Sequence, residues 1–197
     1  MAQIKATDYV CPYCTAKFSD FEALRSHLVS GHSGQRVPEA AGTIRLTING
    51  ELHKFRVEPE WTLYYLIHDI VGLTGCKQMC DRGACGSCTV IMDGRAILSC
   101  MTLAIECDGK TVQTVEGIAA ENHPIIEEYV ANHCMQCGYC TPGFVVTAKN
   151  LLDRNADPTE EEIREELAGN LCRCGTYPQH PKAVLATAAK MKAAAKE

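Results

Sequence analysis

The chain has 197 residues, 46% hydrophobic and 22% charged, with a formal net charge of -5; this fits a globular protein of one ordinary domain or two or three small ones. The acidic balance argues against a general nucleic-acid binder, which needs a basic face to neutralise phosphates, and no apolar run reaches the length that spans a bilayer. Thirteen cysteines are far above background, and an odd number cannot all pair within one chain. The start, "MAQIKATDYV", carries neither a signal-peptide core nor a twin-arginine pair. A cytoplasmic location and metal ligation are therefore expected rather than a disulfide framework.

Residues 1–33 hold "YVCPYCTAKFSDFEALRSHLVSGH", a C-x2-C-x12-H-x4-H pattern made by Cys11, Cys14, His27 and His32. Phe18 and Leu24 fall at the core positions of a small ββα zinc finger, in which zinc drives the folding of a unit too small for a core of its own. The positions that would face bases are Asp20, Ala23 and Ser26, none of which forms a bidentate base contact. Lys5, Lys17 and Arg25 balance Asp8, Asp20 and Glu22. A lone neutral finger does not hold a duplex, so no nucleic-acid partner is expected, and docking or assembly is the expected role.

Residues 34–42, rich in Gly, Pro and Ala, read as a linker. In "TIRLTINGELHKFRV" the apolar residues Ile44, Leu46 and Ile48 alternate up to Asn49-Gly50, a hairpin signal because both turn positions want positive φ. Leu63, Leu66, Ile67 and Ile70 then recur at helical spacing between Thr62, an N-cap candidate, and Gly72, a stop. A second hairpin is expected around Asp93-Gly94, and a short strand in "KTVQTV". Strands, one helix and more strands suggest a small α+β roll.

Between that helix and the second hairpin lies "CDRGACGSC". A 2Fe-2S cluster requires two thiolates on each iron, and Cys80, Cys85 and Cys88 have the C-x4-C-x2-C spacing of plant-type ferredoxins. Cys100, returning after the hairpin, is placed to be the fourth. Gly83 and Gly86 allow the positive φ and close approach that bring amides onto negatively charged sulfides. A zinc site would more usually use paired C-x2-C knuckles. Cys76 and Cys107 read as ordinary small apolar residues or bystander thiols.

After Gly117 the pattern turns helical. Pro124 opens "HPIIEEYVANH"; Thr141-Pro142 opens the next helix as N-cap and first residue; Asp157-Pro158-Thr159 opens "EEEIREEL", closed by Gly169; and Pro181 begins the last. "MQCGYCTPGF" supplies Cys137 and Cys140, and "GNLCRCGTY" supplies Cys172 and Cys174, each pair between helices or at a helix start, where free amides favour negative charge. Cys134 extends the first pair to C-x2-C-x2-C, as in a bacterial 4Fe-4S run, but the Cys-Pro that should follow is absent.

Over about residues 43–190, "CDRGACGSCTV", "LSC", "TVEGI", "QCGYCTPG" and "NLCRC" occur in one order. By these the chain resembles the iron-sulfur subunits of molybdenum hydroxylases, the xanthine dehydrogenase and aerobic carbon monoxide dehydrogenase superfamily. The resemblance implies an α+β chain: a β-grasp plant-type ferredoxin domain over 43–118 and a four-helix 2Fe-2S domain over 119–197, each holding one 2Fe-2S cluster. The N-terminal zinc-finger unit departs from the family, whose members begin near the first strand. Cys80, Cys85, Cys88 and Cys100 would hold one cluster, and Cys137, Cys140, Cys172 and Cys174 the other. Gln136 and Cys174 would approach the molybdopterin of a partner subunit. This chain has "CRCGTY" where the family commonly has "CRCTGY", so the loop after Cys174 differs, and "GTY" also occurs in enzymes without a flavin subunit.

The function implied is that of an electron-transfer subunit in a hetero-oligomer, a dimer of heterotrimers being one arrangement. It would relay electrons from a large molybdopterin subunit to FAD on a further subunit or to another acceptor, with no substrate-converting residue of its own. His53, His68, His123, His133 and His180 lie outside the motifs and read as surface or structural residues. The alternatives are a redox-responsive zinc-finger regulatory or assembly protein and a free-standing ferredoxin.

Overall fold

The computed structural model describes residues 9–11, 13–14, 16–32 and 42–194. The expected linker lies outside them except for Gly42. The chain divides into two compact units, Met1–Ala41 and Gly42–Glu197.

In the first unit, strands β1 (Tyr9–Val10) and β2 (Lys17–Phe18) pair antiparallel ahead of helix α1 (Phe21–Gly31). Asp20 caps α1, its carboxylate accepting from the Ala23 amide at 2.8 Å. A residue at one of the base-facing positions is thereby committed to the helix start.

In the second unit, β3 (Thr43–Ile48) and β4 (Glu51–Arg56) form the first hairpin, and β5 (Thr89–Met92) and β6 (Arg95–Leu98) the second. Both turns are built as the sequence demands, with φ 49° and 87° at Asn49-Gly50 and 48° and 79° at Asp93-Gly94. Strand β7 (Thr111–Gln113) joins the hairpins, parallel to β3 and antiparallel to β5, giving the order β4-β3-β7-β5-β6. Helix α2 (Leu63–Tyr65) is capped by the Thr62 hydroxyl and continues as a π-helical turn over Leu66–Ile70. It packs Leu63, Leu66 and Ile67 in one core with Ile44, Leu46, Ile48, Val90 and Val112.

Helices α4 (Pro124–Ala131), α5 (Thr141–Arg154), α6 (Glu160–Leu167) and α7 (Gln179–Ala194) are the four expected from the sequence, and a short α3 (Val115–Ala120) precedes them. Local starts differ from the reading: Thr141 is the first residue of α5 rather than its cap, and α7 begins two residues before Pro181. Thr159 and Glu162 do form a capping box at α6. The helices enclose a second core of Ile118, Ile125, Tyr129, Phe144, Val146, Leu152, Ile163 and Val184.

Strand β5 serves both cores, because alternate side chains point to opposite faces: Val90 enters the first and Ile91 the second. Two buried asparagines stitch helices to sheet. Asn150 donates to the Gly94 carbonyl at 2.8 Å and accepts from the Ala96 amide, and Asn170 donates to the Gly86 carbonyl at 3.1 Å. At Gly143 the backbone of α5 comes so close to the Gly86 carbonyl that a Cβ would collide with it.

Gly143→Ala should therefore destabilise the chain by about 1–3 kcal/mol through overpacking, lowering the thermal midpoint by several degrees, about 2–4 °C per kcal/mol. Gly169→Ala, where a Cβ meets nothing within 4 Å, is the matched control and should shift the midpoint little; calorimetry of the two side by side checks the difference.

Candidate metal centres

The loop between the π-helical turn and β5 carries Cys76 and three of the four expected ligands, Cys80, Cys85 and Cys88, and the 3-10 turn Ser99–Met101 after β6 carries Cys100. Positive φ at Asp81 (51°), Gly83 (73°) and Gly86 (73°) coils the loop and turns its amides inward. The Ala84 amide donates to the Cys80 sulfur at 3.3 Å. The Arg82 amide above all, with Ala84 and against the effect of burial, pulls the Cys80 thiol down to about 7. Cys80 is within hydrogen-bonding reach of Cys85, and Cys88 of Cys100. Burial, and then the Cys88 thiol, push Cys100 up to about 11, with the Gly83 amide acting in the opposite sense. The structure thus brings together, as two adjoining pairs, the three cysteines expected from spacing and Cys100, expected from its return after the hairpin.

Cys76 lies beside them, buried, its sulfur on the Cys88 carbonyl and the Ser99 hydroxyl, and burial pushes it up to about 12. Cys107 bonds the Leu103 carbonyl, and burial pushes it up to about 11. Both are protonated packing thiols.

Cys140 is the residue before α5, and Cys172 follows α6. Their thiols are within hydrogen-bonding reach of each other and both are buried, whereas Cys137 and Cys174 are exposed. Burial pushes Cys140 up to about 12. At Cys172 burial acts in the same sense, but the Thr176 hydroxyl and amide with the Cys140 thiol outweigh it and bring the group down to about 7. The Tyr177 hydroxyl accepts from the Cys172 amide at 2.7 Å. The Gln136 side-chain amide reaches the Cys174 carbonyl at 3.5 Å, so these two residues also meet. Cys134 is fully buried in the helical core and raised to about 11 by that burial alone, which reads the C-x2-C-x2-C run as packing.

The two thiol sets adjoin through backbone. The Leu171 amide, one residue before Cys172, donates to the carbonyl of Cys85 at 2.9 Å. A Cβ on Gly86 would stand 2.6 Å from the Asn170 side chain. Further out, the Tyr139 hydroxyl donates to the Gln78 carbonyl at 2.6 Å, and Lys77 lies over the Tyr139 ring. Asn170, Leu171, Tyr139, Thr176 and Tyr177 were not picked out from the sequence. The partners of Asn170, Leu171 and Tyr139 lie 60 or more residues away, which spacing does not show, whereas Thr176 and Tyr177 meet Cys172 from four and five residues on, a local contact that no motif marks.

In the first unit, the ligand atoms of Cys11, Cys14, His27 and His32 all lie within 4.8 Å of one another. The Cys14 sulfur is 3.3 Å from His27 Nε2, and the Tyr13 amide donates to the Cys11 sulfur at 3.4 Å. The Phe18 and Tyr13 rings lie against His27 and His32, with centroids 4.8 Å and 4.7 Å apart. Two sulfurs and two imidazoles at this separation suit a tetrahedral cation.

Residues 114–185 match the 2Fe-2S binding domain family. The chain is 44% identical over 137 residues to the nicotinate dehydrogenase small FeS subunit of Eubacterium barkeri, a match covering 68% of this chain and 87% of that protein. It is 42% identical to the nicotine 6-hydroxylase small subunit of Paenarthrobacter nicotinovorans over 72% of this chain and 87% of the other. Among solved structures, a chain of quinoline 2-oxidoreductase from Pseudomonas putida 86 superposes with a TM-score of 0.71 at 40% identity, covering 74% of this chain and 93% of that one. The aldehyde oxidoreductase of Desulfovibrio desulfuricans superposes with a TM-score of 0.74 at 36% identity, this chain matching 17% of that much longer one.

Proposed function

The chain belongs to the small iron-sulfur subunits of multi-subunit molybdenum hydroxylases and dehydrogenases, and on that premise we propose that its two cysteine sets hold two 2Fe-2S clusters in series. It is an electron-transfer subunit of an oxidoreductase complex whose large subunit carries the molybdopterin.

In this reading Cys80, Cys85, Cys88 and Cys100 hold one cluster in a β-grasp ferredoxin domain, residues 43–118, and Cys137, Cys140, Cys172 and Cys174 hold the other in a four-helix domain, residues 119–197. The observation that carries it is the pairing of thiols distant in sequence, Cys88 with Cys100 and Cys140 with Cys172. Two thiolates per iron is what a rhombic cluster needs. Among the described residues none of these cysteines is spent in a disulfide. Each cluster, when bound, takes up and gives back one electron at a time.

The protein's own part is to hold, insulate and link. Burial of Cys85, Cys88, Cys100, Cys140 and Cys172 keeps water from most of the sulfurs. The inward amides of residues 82–84 offset the negative charge of the first set. The Cys85 carbonyl and the Leu171 amide join the two sets by one hydrogen bond between residues that are, or adjoin, ligands. Exposed Cys137 and Cys174, with Gln136 beside them, form the side that would meet the partner's molybdopterin. Electrons would leave through the Cys80 set to FAD on another subunit or a different acceptor.

The four ligand atoms of the N-terminal unit fit zinc, held by Cys11, Cys14, His27 and His32. Its proposed role is in docking or assembly of the complex. That role is supported by the absence of base-reading side chains at Ala23 and Ser26 and by the use of Asp20 as a cap.

Chain matured with its iron-sulfur assembly machinery should contain about four irons and about one zinc, and reduction should give two paramagnetic signals. Cys100→Ser should remove one signal and about half the iron; metal analysis of folded wild-type chain finding only half the expected iron would discard one site. Cys11→Ser should lose about one zinc per chain with the iron unchanged, and equal zinc in the two proteins would count against the finger.

A further inference from the structure

The loop after Cys174, where this chain reads "GTYPQH", folds a hydroxyl and an imidazole into the protein behind Cys172. The Thr176 hydroxyl lies 3.1 Å from the Cys172 sulfur and 3.1 Å from Nε2 of His180, and both residues are buried. Cys172, Thr176 and His180 lie four residues apart along the non-helical segment that leads into α7 and the first turn of that helix, and this path brings the three side chains into one chain of contacts. The His180 ring is fixed in turn: it stacks on Phe144 at 4.0 Å with 7° between planes, and Tyr129 lies at 5.5 Å on a tilt.

The direction of the hydrogen bonds follows from chemistry. A metal-bound thiolate carries no proton and can only accept. The Thr176 hydroxyl has one proton, so giving it to sulfur leaves the oxygen to accept from His180. The imidazole must then carry its proton on Nε2 and a bare lone pair on Nδ1. Among the described residues Nδ1 is buried with no hydrogen-bond partner, and His180 lines a cavity of about 140 Å³ with Phe144, Arg164, Leu167, Tyr177 and Pro181. The opposite tautomer would strand a buried N–H there, a worse fault than an idle acceptor.

We propose that Thr176 and His180 are positioning residues that set the reduction potential of the helical cluster, Thr176 by donating to the Cys172 sulfur and His180 by holding that hydroxyl in its donating orientation. The proposal rests on the reading that Cys172 is a cluster ligand. A donor on the sulfur stabilises the more negative, reduced state, so it raises the potential of this cluster selectively. Among the described residues the hydrogen bonds of these two side chains go to Cys172 and to each other and not to the Cys80 set, so the effect is confined to one centre.

The test is a redox titration of the full-length, cluster-loaded chain followed by electron paramagnetic resonance, with iron content measured first. Thr176→Val should move one of the two midpoints to lower potential, with about a tenfold loss in the equilibrium constant for reduction, 59 mV for one electron. Thr176→Ser should restore it, and His180→Phe should shift the same midpoint in the same direction by a smaller amount. Unchanged midpoints in fully loaded Thr176→Val, or equal shifts of both centres, would overturn the proposal. If Thr176→Val loses iron, loaded His180→Phe decides: a selective drop supports the proposal and an unmoved midpoint overturns it. Wild-type chain that loads only one cluster overturns the ligand assignment instead, a result read before any midpoint is measured.

Discussion

The close contact of two peptide segments, residues 85–86 and 170–171, is the constraint on which the arrangement of the second unit depends. The Leu171 amide meets the Cys85 carbonyl and the Asn170 side chain meets the Gly86 carbonyl. Backbone can approach backbone this closely only where side chains are missing, and Gly86 and Gly143 face each other at that point. Asn150 repeats the device on the second hairpin. Each buried amide saturates carbonyls or amides that would otherwise be stranded between sheet and helices. The same contact that docks the helices also joins the two cysteine sets by a hydrogen bond, so packing and the proposed relay share one structural cause.

Gathering thiolates in a buried place is costly twice over, through desolvation and through mutual repulsion. The protein answers with dipoles rather than charges. In the first set backbone does the work, since amides of the coiled loop bring Cys80 down while Cys100, deeper and against Cys88, is driven up. In the second set Thr176 takes the largest share at Cys172, and the Tyr177 hydroxyl holds the Cys172 backbone. Two cysteine sets are thereby given different surroundings, which for the two clusters proposed is the condition for passing charge in one direction. The zinc proposed for the first unit would answer a different need. Among its described residues only Cys11 and Leu24 are buried, and so small a core calls for a metal to hold hairpin and helix together.

Much was legible in the residues alone. Both hairpins came from Asn-Gly and Asp-Gly, because positive φ at two successive positions leaves few other residue choices, and α6 came from Thr159 and Glu162, whose reciprocal caps are local. The starts of α5 and α7 were displaced by one or two residues, and α3 was overlooked, since a six-residue helix wedged between strand and bundle is stabilised by packing rather than by its own sequence. Among the histidines expected at surface or structural places, His180 takes a structural one, buried at a ring stack with its imidazole pushed down to about 4 by that burial, a distinction that residue type alone does not carry.

The sequence by itself determined which atoms could bind metal: cysteine spacing within a loop is covalent information, and so are the glycines that let the loop coil. Only the tertiary structure decided which thiols stand together, which are shielded, and what lies behind them. Pairings such as Cys88 with Cys100 and Cys85 with Leu171 depend on where packing brings elements, and neither hydrophobic period nor motif encodes that distance; Cys172, Thr176 and His180 are near in sequence, but their facing one another is fixed by the packing of the His180 ring on Phe144.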